Sequence, residues 1–176
     1  MWRDPKPGGA PPNNWKGAFA GRDAPAWTFD PATGQSYLHL FLPQQPDLDW
    51  SSPSLQRAMH EVLRFWLARG IDGFRMDVIH CIGKSTALPD DAPPFDRLPH
   101  TISHDDPATH AHVRALRRLL DSYAGDRMMV GEVFVTPEER VPEYYGAGDE
   151  LHLAFDLPHQ IRTPWDAAEW RARIGR

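Results

Sequence analysis

The sequence predicts an α/β protein built on a parallel sheet, and three observations carry this. Ser51-Ser52-Pro53 opens a segment in which Leu55, Met59, Val62, Leu63 and Trp66 recur at helical spacing, and Gly70 closes it. An apolar run over 71–78 follows at once, so helix, glycine and strand form one αβ unit. The unit then repeats: Asp106-Pro107 opens a second helix with Val113, Leu116, Leu119, Leu120 and Tyr123 on one face, Gly125 stops it, and 128–133 is the next strand.

Taken in order, residues 1–50 read as an irregular, loop-rich segment. Pro11-Pro12-Asn13-Asn14 and Pro31-Ala32-Thr33-Gly34 are turn chemistry, and Gln35 to Leu42 is one short strand. The tryptophans there either build a binding rim or pack the loops onto the core. Residues 51–176 hold the αβ units. Between them, 83–106 is polar and proline-rich (Pro89, Pro93, Pro94, Pro99), too long for an ordinary connection, and predicts a functional loop. Thr136-Pro137-Glu138-Glu139 predicts an N-cap and a short helix to about Tyr145. Leu151 to Phe155 reads as a strand and Trp165 to Arg173 as a final helix.

Composition excludes several classes. A net charge of −5 with interspersed arginines leaves no nucleic-acid footprint. No apolar run reaches the ~20 residues of a membrane span, and no apolar core follows Met1-Trp2-Arg3-Asp4-Pro5, so neither membrane nor secretory signal is expected. The single cysteine, Cys81, rules out an internal disulfide and fits a reducing, cytoplasmic setting. The nine histidines lack metal-ligand spacing: His110 and His112 face different sides of a helix, and His100 and His104 lie in a loop. No metal and no cofactor is expected. The 176 residues are also too few for a complete (β/α)₈ barrel, which needs roughly 250.

Two strands end on carboxylates. Arg75 and Asp77 lie two apart, so an extended strand points both side chains to one face. An arginine beside an aspartate keeps it ionised, as a nucleophile requires, or simply pairs with it structurally. Gly131-Glu132 closes the next strand. Two acids at the C-terminal ends of successive strands suit a barrel glycosidase, with Glu132 as acid/base and the alternative of a plain surface glutamate.

These residues carry a resemblance. Gly73-Phe74-Arg75-Met76-Asp77 and Gly131-Glu132 resemble the nucleophile and acid/base motifs of glycoside hydrolase family 13, the α-amylase family. Gln45-Pro46-Asp47-Leu48-Asp49-Trp50 is similar to the QPDLNW segment of its oligo-1,6-glucosidase and α-glucosidase subfamily, departing at Asp49, where Asn is usual. The three segments stand in the family's order, and the likeness runs from about Trp2 to about Phe155. It implies a partial (β/α)₈ TIM barrel, about strands 4 to 6 with flanking helices, cut from the middle of a larger enzyme. It also implies hydrolysis of α-glucosidic bonds with retention, with Asp77 and Glu132 catalytic. Arg75, Phe41, Gln45 and His80 then fall in the substrate-binding set. For Phe41, core packing competes with a ring stacked on sugar; Gln45 competes as a rim support and His80 as a bystander. Val78 matches members that cleave α-1,6 bonds. Calcium occurs in complete members, with ligand segments outside this chain. The rival readings are a transglycosylase or isomerase of the same family (trehalose synthase, sucrose isomerase) and a non-catalytic scaffold or truncated gene product. The fragment alone is expected to be inactive.

Overall fold

The computed structural model describes residues 1–17, 24–91, 105–135 and 137–174. Residues 92–104 of the long polar segment, with His100 and His104, and the Thr136 cap lie outside the described residues.

The first 50 residues are more regular than the sequence predicts. Instead of one short strand they form a three-stranded antiparallel sheet in the order β1-β3-β2, from β1 (Trp2–Arg3), β2 (Trp27–Asp30) and β3 (Gln35–Leu38). The Asp30 carboxylate makes the β2–β3 turn by accepting the Ala32 N–H and the Thr33 hydroxyl, both at 3.0 Å. Trp27 pairs across to Leu38, and both are buried in a cluster with Met1, Trp15, Ala26, Leu40 and Cys81. Trp15 and Trp27 are therefore core residues. Their indole N–H groups donate to the Pro89 carbonyl at 2.9 Å and to Asn13 Oδ1 at 2.7 Å, which satisfies two buried donors.

Helix α1 (Pro53–Leu67) begins as expected, with Ser52 Oγ accepting the Leu55 N–H at 3.5 Å and Pro53 at the first position. Its buried residues are Leu63 and Leu67; Val62 and Trp66, expected on the core stripe, stay about half exposed (48% and 46%) beside Phe65. Of this helix Leu63 joins the core cluster that covers the parallel sheet, while Val62, Phe65 and Trp66 form an exposed flank. β4 (Gly73–Met76) is shorter than the apolar run because Val78 turns left-handed at φ 37°, leading into a 3-10 turn at Ile79–Cys81. Helix α2 (Ala108–Asp121) and β5 (Met128–Val133) follow. Gly125, at φ 82°, reverses the chain between them. A 3-10 segment at Glu138–Tyr145 leads to β6 (Leu153–Asp156), then α3 (Leu157–Arg162), which the sequence did not predict, and α4 (Ala167–Ile174).

β4, β5 and β6 form a parallel sheet in that order, joined by helical crossovers as βαβ geometry requires. One face is dry: Phe74, Met76, Met129, Val133 and Ala154 pack with Leu63, Val113, Leu116 and Leu120 of the helices. Gly131 gives room here to the Leu151 side chain, which would have to shift if position 131 carried a Cβ. The opposite face carries Arg75, Val130, Glu132, Leu153 and Phe155 and is open; Leu153 is 54% and Phe155 37% exposed. Among the described residues this is an arc of parallel strands with helices on one side, not a closed barrel.

Candidate active site

The site grows out of strand register. Gly73 is level with Met128 and Met76 with Gly131, so continuing the same offset sets position 77 beside position 132. Neighbouring strands lie about 4.8 Å apart, so equivalent side chains on one face converge. Arg75 makes the convergence explicit. Its Nη1 donates to Asp77 Oδ1 and its Nη2 to Glu132 Oε2, so one guanidinium bridges both carboxylates. The Asp77 hydrogen bond, with the charges of both acids, raises the Arg75 pKa above its ordinary value. Asp77 stands open at 72% side-chain exposure, whereas Glu132 is held closer to the wall at 22%.

His80 is placed differently from the expectation. It is buried (3%) under the strand ends rather than facing an open cleft. Its Nδ1 lies 3.2 Å from the Glu132 carbonyl and 3.4 Å from the Phe134 nitrogen, so either tautomer bonds the backbone at the end of β5. Burial pushes its pKa down to about 4. The corrected role is support of the acid on β5, because a ring closed off from solvent is not a surface on which a sugar can dock. Phe41 is half-buried and packs on the tryptophan cluster, as Val78 next to Asp77 also does. Gln45 is exposed, and its Oε1 accepts the Leu42 N–H at 3.3 Å; its described role is to close the turn over 42–45. Asp49 turns away from the acids to Arg3, at 3.3 Å. Burial opposes its charge, but hydrogen bonds from Ser51 and the Arg3 guanidinium outweigh this and hold its pKa below the usual value.

Three residues outside the predicted site are structurally central. Lys84 has a side chain only 1% exposed; its Nζ donates to Asp47 Oδ1 at 2.8 Å and to the Cys81 carbonyl at 2.5 Å. It thereby ties the loop behind Asp77 to the N-terminal segment. Asp105 and Tyr144, both buried, meet through a hydroxyl-to-carboxylate bond of 2.6 Å. A lysine ending the apolar run Ile79–Gly83 was the legible signal for Lys84; nothing in local spacing marks the other two. Burial pushes the Cys81 thiol pKa up, which makes it an inert packing group. Among the described residues no group of three His, Cys, Asp or Glu side chains is placed to hold a metal ion, and no helix is long and apolar enough to cross a membrane.

Comparison with known proteins gives the family of the chain. The chain is 38% identical over 178 residues to an oligo-1,6-glucosidase of Parageobacillus thermoglucosidasius, covering 98% of this chain and 31% of that enzyme. A crystal structure of an α-glucosyl transfer enzyme superposes with a TM-score of 0.85 at 34% identity, covering 100% of this chain and 35% of that one. The trehalose-6-phosphate hydrolase of Bacillus licheniformis superposes at 0.81 with 35% identity, covering 94% and 29%. The chain thus spans about a third of the length of the relatives it matches. Residues 1–172 match the alpha-amylase family (alpha amylase, catalytic domain), and the chain belongs to that family, glycoside hydrolase family 13.

Proposed function

We propose that this chain supplies the acid pair of a retaining α-glucosidase that acts on short α-glucosides. The observation that carries the reading is the Arg75 bridge, which gathers two strand-end carboxylates onto one open face. An Asp77 oxygen attacks the anomeric carbon while the glycosidic C–O bond breaks and Glu132 gives its proton to the leaving oxygen. Glu132 then takes a proton from water, the water oxygen bonds to the anomeric carbon, and the Asp77 ester bond breaks. Carboxylates suffice for both steps, and neither step uses a cofactor. Before Glu132 can serve a leaving group, its oxygen must be released by Arg75. Phe41 and Gln45 form the rim, and Val78 follows the nucleophile as in α-1,6-cleaving members. The sugar-binding groups on other strands and a further acid come from the remainder of a barrel. The 176 residues alone are therefore expected to be inactive. A reducing, cytoplasmic location suits the one buried thiol.

The test is made on the complete polypeptide, with a chromogenic α-glucoside and a fluorinated glucosyl donor that traps the ester. Asp77→Asn lowers kcat by more than about 10³-fold, and mass spectrometry finds the sugar on the peptide containing Asp77. A label on another residue, or near-normal turnover by Asp77→Asn, ends the proposal. A second reading, glucosyl transfer, is favoured by the superposition on the transfer enzyme over the whole chain. Product analysis with maltose and sucrose separates them: hydrolysis gives two glucose per maltose and glucose plus fructose from sucrose, whereas transfer gives new oligosaccharides, at most one free glucose per maltose consumed and little free glucose from sucrose.

A further inference from the structure

The acids stand on two different strands, and the loops behind those strands meet beneath them. Asp105 forms the joint. It is buried, it adopts a left-handed backbone at φ 63°, and its N–H donates to the His80 carbonyl at 2.7 Å. Its Oδ1 accepts the Tyr144 hydroxyl at 2.6 Å. Its Oδ2 is paired by charge with Arg140, although no aligned donor reaches that oxygen. Tyr144 and Arg140 belong to the segment that follows β5, the strand of Glu132, whereas His80 belongs to the turn that follows Asp77. The His80 ring in turn lies against the backbone of Glu132 and Phe134. Tyr144 is itself clamped: its ring lies against that of His110, tilted by 42° with centroids 4.7 Å apart, and His110 Nδ1 contacts the buried Glu150 carboxylate at 2.8 Å. The connection from one acid-bearing loop to the other thus runs through buried polar contacts set in packed side chains, where alternative arrangements are few.

We propose that Asp105 is a positioning residue for the acid pair, coupling the turn behind Asp77 to the segment behind Glu132 through His80 on one side and Tyr144 on the other. It does not touch substrate. It fixes the relative placement of two groups whose separation decides the reaction. The inference rests on the functional reading above for its catalytic consequence, but its structural content can be tested apart from it.

Hydrogen exchange on the 176-residue chain reads the coupling directly. In Tyr144→Phe, which removes one hydroxyl, and in Asp105→Ala, the amides of residues 105 and 134 exchange at least about tenfold faster while the β5 amides keep their protection. Asp105→Asn keeps an acceptor for Tyr144, tolerates the left-handed backbone and stays close to wild type. Unchanged exchange at 105 and 134 in the Tyr144→Phe variant overturns the coupling. Uniform loss of protection across β5 also overturns it, because it marks a merely structural residue. In the complete enzyme, Asp105→Ala and Tyr144→Phe lower kcat about 10- to 100-fold with KM within about threefold, and Asp105→Asn recovers most of the loss. Altered exchange with unaltered kcat overturns the positioning role. A complete wild-type protein that cleaves no α-glucoside instead defeats the functional reading and leaves the exchange result standing.

Discussion

At the scale of single residues, this site is governed by charges that burial would otherwise forbid. Lys84 is the extreme case, with an ammonium taken out of water and paired, among the described residues, with one carboxylate and one carbonyl. Replacing it by Met leaves Asp47 without its partner in a partly closed setting, and breaking such a pair costs about 3–5 kcal/mol. The expected result is a fall in urea midpoint at pH 7. A double variant with Asp47→Asn should recover part of the loss, and no recovery would show that the pair does not act as a unit. His80 gives the pH dependence. Its native pKa of about 4 lies below the ordinary 6.5, so the neutral ring belongs to the folded state and the unfolded chain binds the extra proton. Stability from this group is full above pH 6.5 and declines as pH falls toward 4, by ~3 kcal/mol. Urea titrations at pH 7 and pH 4.5 measure it, and His80→Gln should flatten the difference. Asp49 acts lower down: its pKa is depressed, so its contribution is present above 3.8 and is lost on further acidification. The two windows therefore separate in a pH series.

At the scale of elements, α1 owes its start to Ser52, and Ser52→Ala should lower stability by about 1 kcal/mol in a thermal melt. Gly83 is more severe. A side chain there would press on the backbone of Thr109, whose hydroxyl accepts the Gly83 N–H at 3.1 Å, so Gly83→Ala must push α2 off the turn. A Tm equal to wild type for that variant would contradict the close approach. The elements that were legible in the sequence are those with a strong local pattern. β5 matches its apolar run residue for residue, α1 and α2 begin at their predicted openings, and α2 buries Val113, Leu116, Leu119 and Leu120 as its spacing predicts, whereas α1 buries only Leu63 of its predicted stripe. β1 and β2 were not legible because their pattern is non-local: Trp2 gains a partner only when Tyr37 arrives, and Trp27 only when Leu38 does. β4 ended early because a valine was forced out of the extended region that its propensity favours. The acids and Arg75 were legible because period-2 alternation places 75 and 77 on one face. Asp105 and Tyr144 were not, because a buried polar partner is set by tertiary contact and leaves no periodic trace; Lys84 left only its place at the end of the run Ile79–Gly83.

At the scale of the whole molecule, the helix-covered face of the parallel sheet is closed and the other is bare. Leu153 and Phe155 lie exposed on the acid-bearing face, Val62, Phe65 and Trp66 line the flank of α1, and Ile161 and Trp165 are 70% and 96% exposed beyond β6. Apolar surface on this scale is a liability in an isolated chain. The 176-residue polypeptide should therefore self-associate as concentration rises. Sedimentation velocity checks this: mass-average size grows with concentration for wild type and grows less for Leu153→Lys with Trp66→Glu. A strictly monomeric wild type over the same range would mean that the open face is covered in a way the described residues do not explain.

The valine after Asp77 has one more consequence, and it concerns handedness. Its backbone sits in a basin that suits mirror-image amino acids, yet the side chain there is among the stiffest of the natural set. The local sequence does not choose that bend. Val78 packs instead against the indole-rich cluster from across the fold, and that packing accompanies the bend. A semisynthetic chain with D-alanine at position 78 would occupy the basin willingly, so the orientation of the carboxylate one residue earlier would no longer depend on packing of the valine side chain against that cluster.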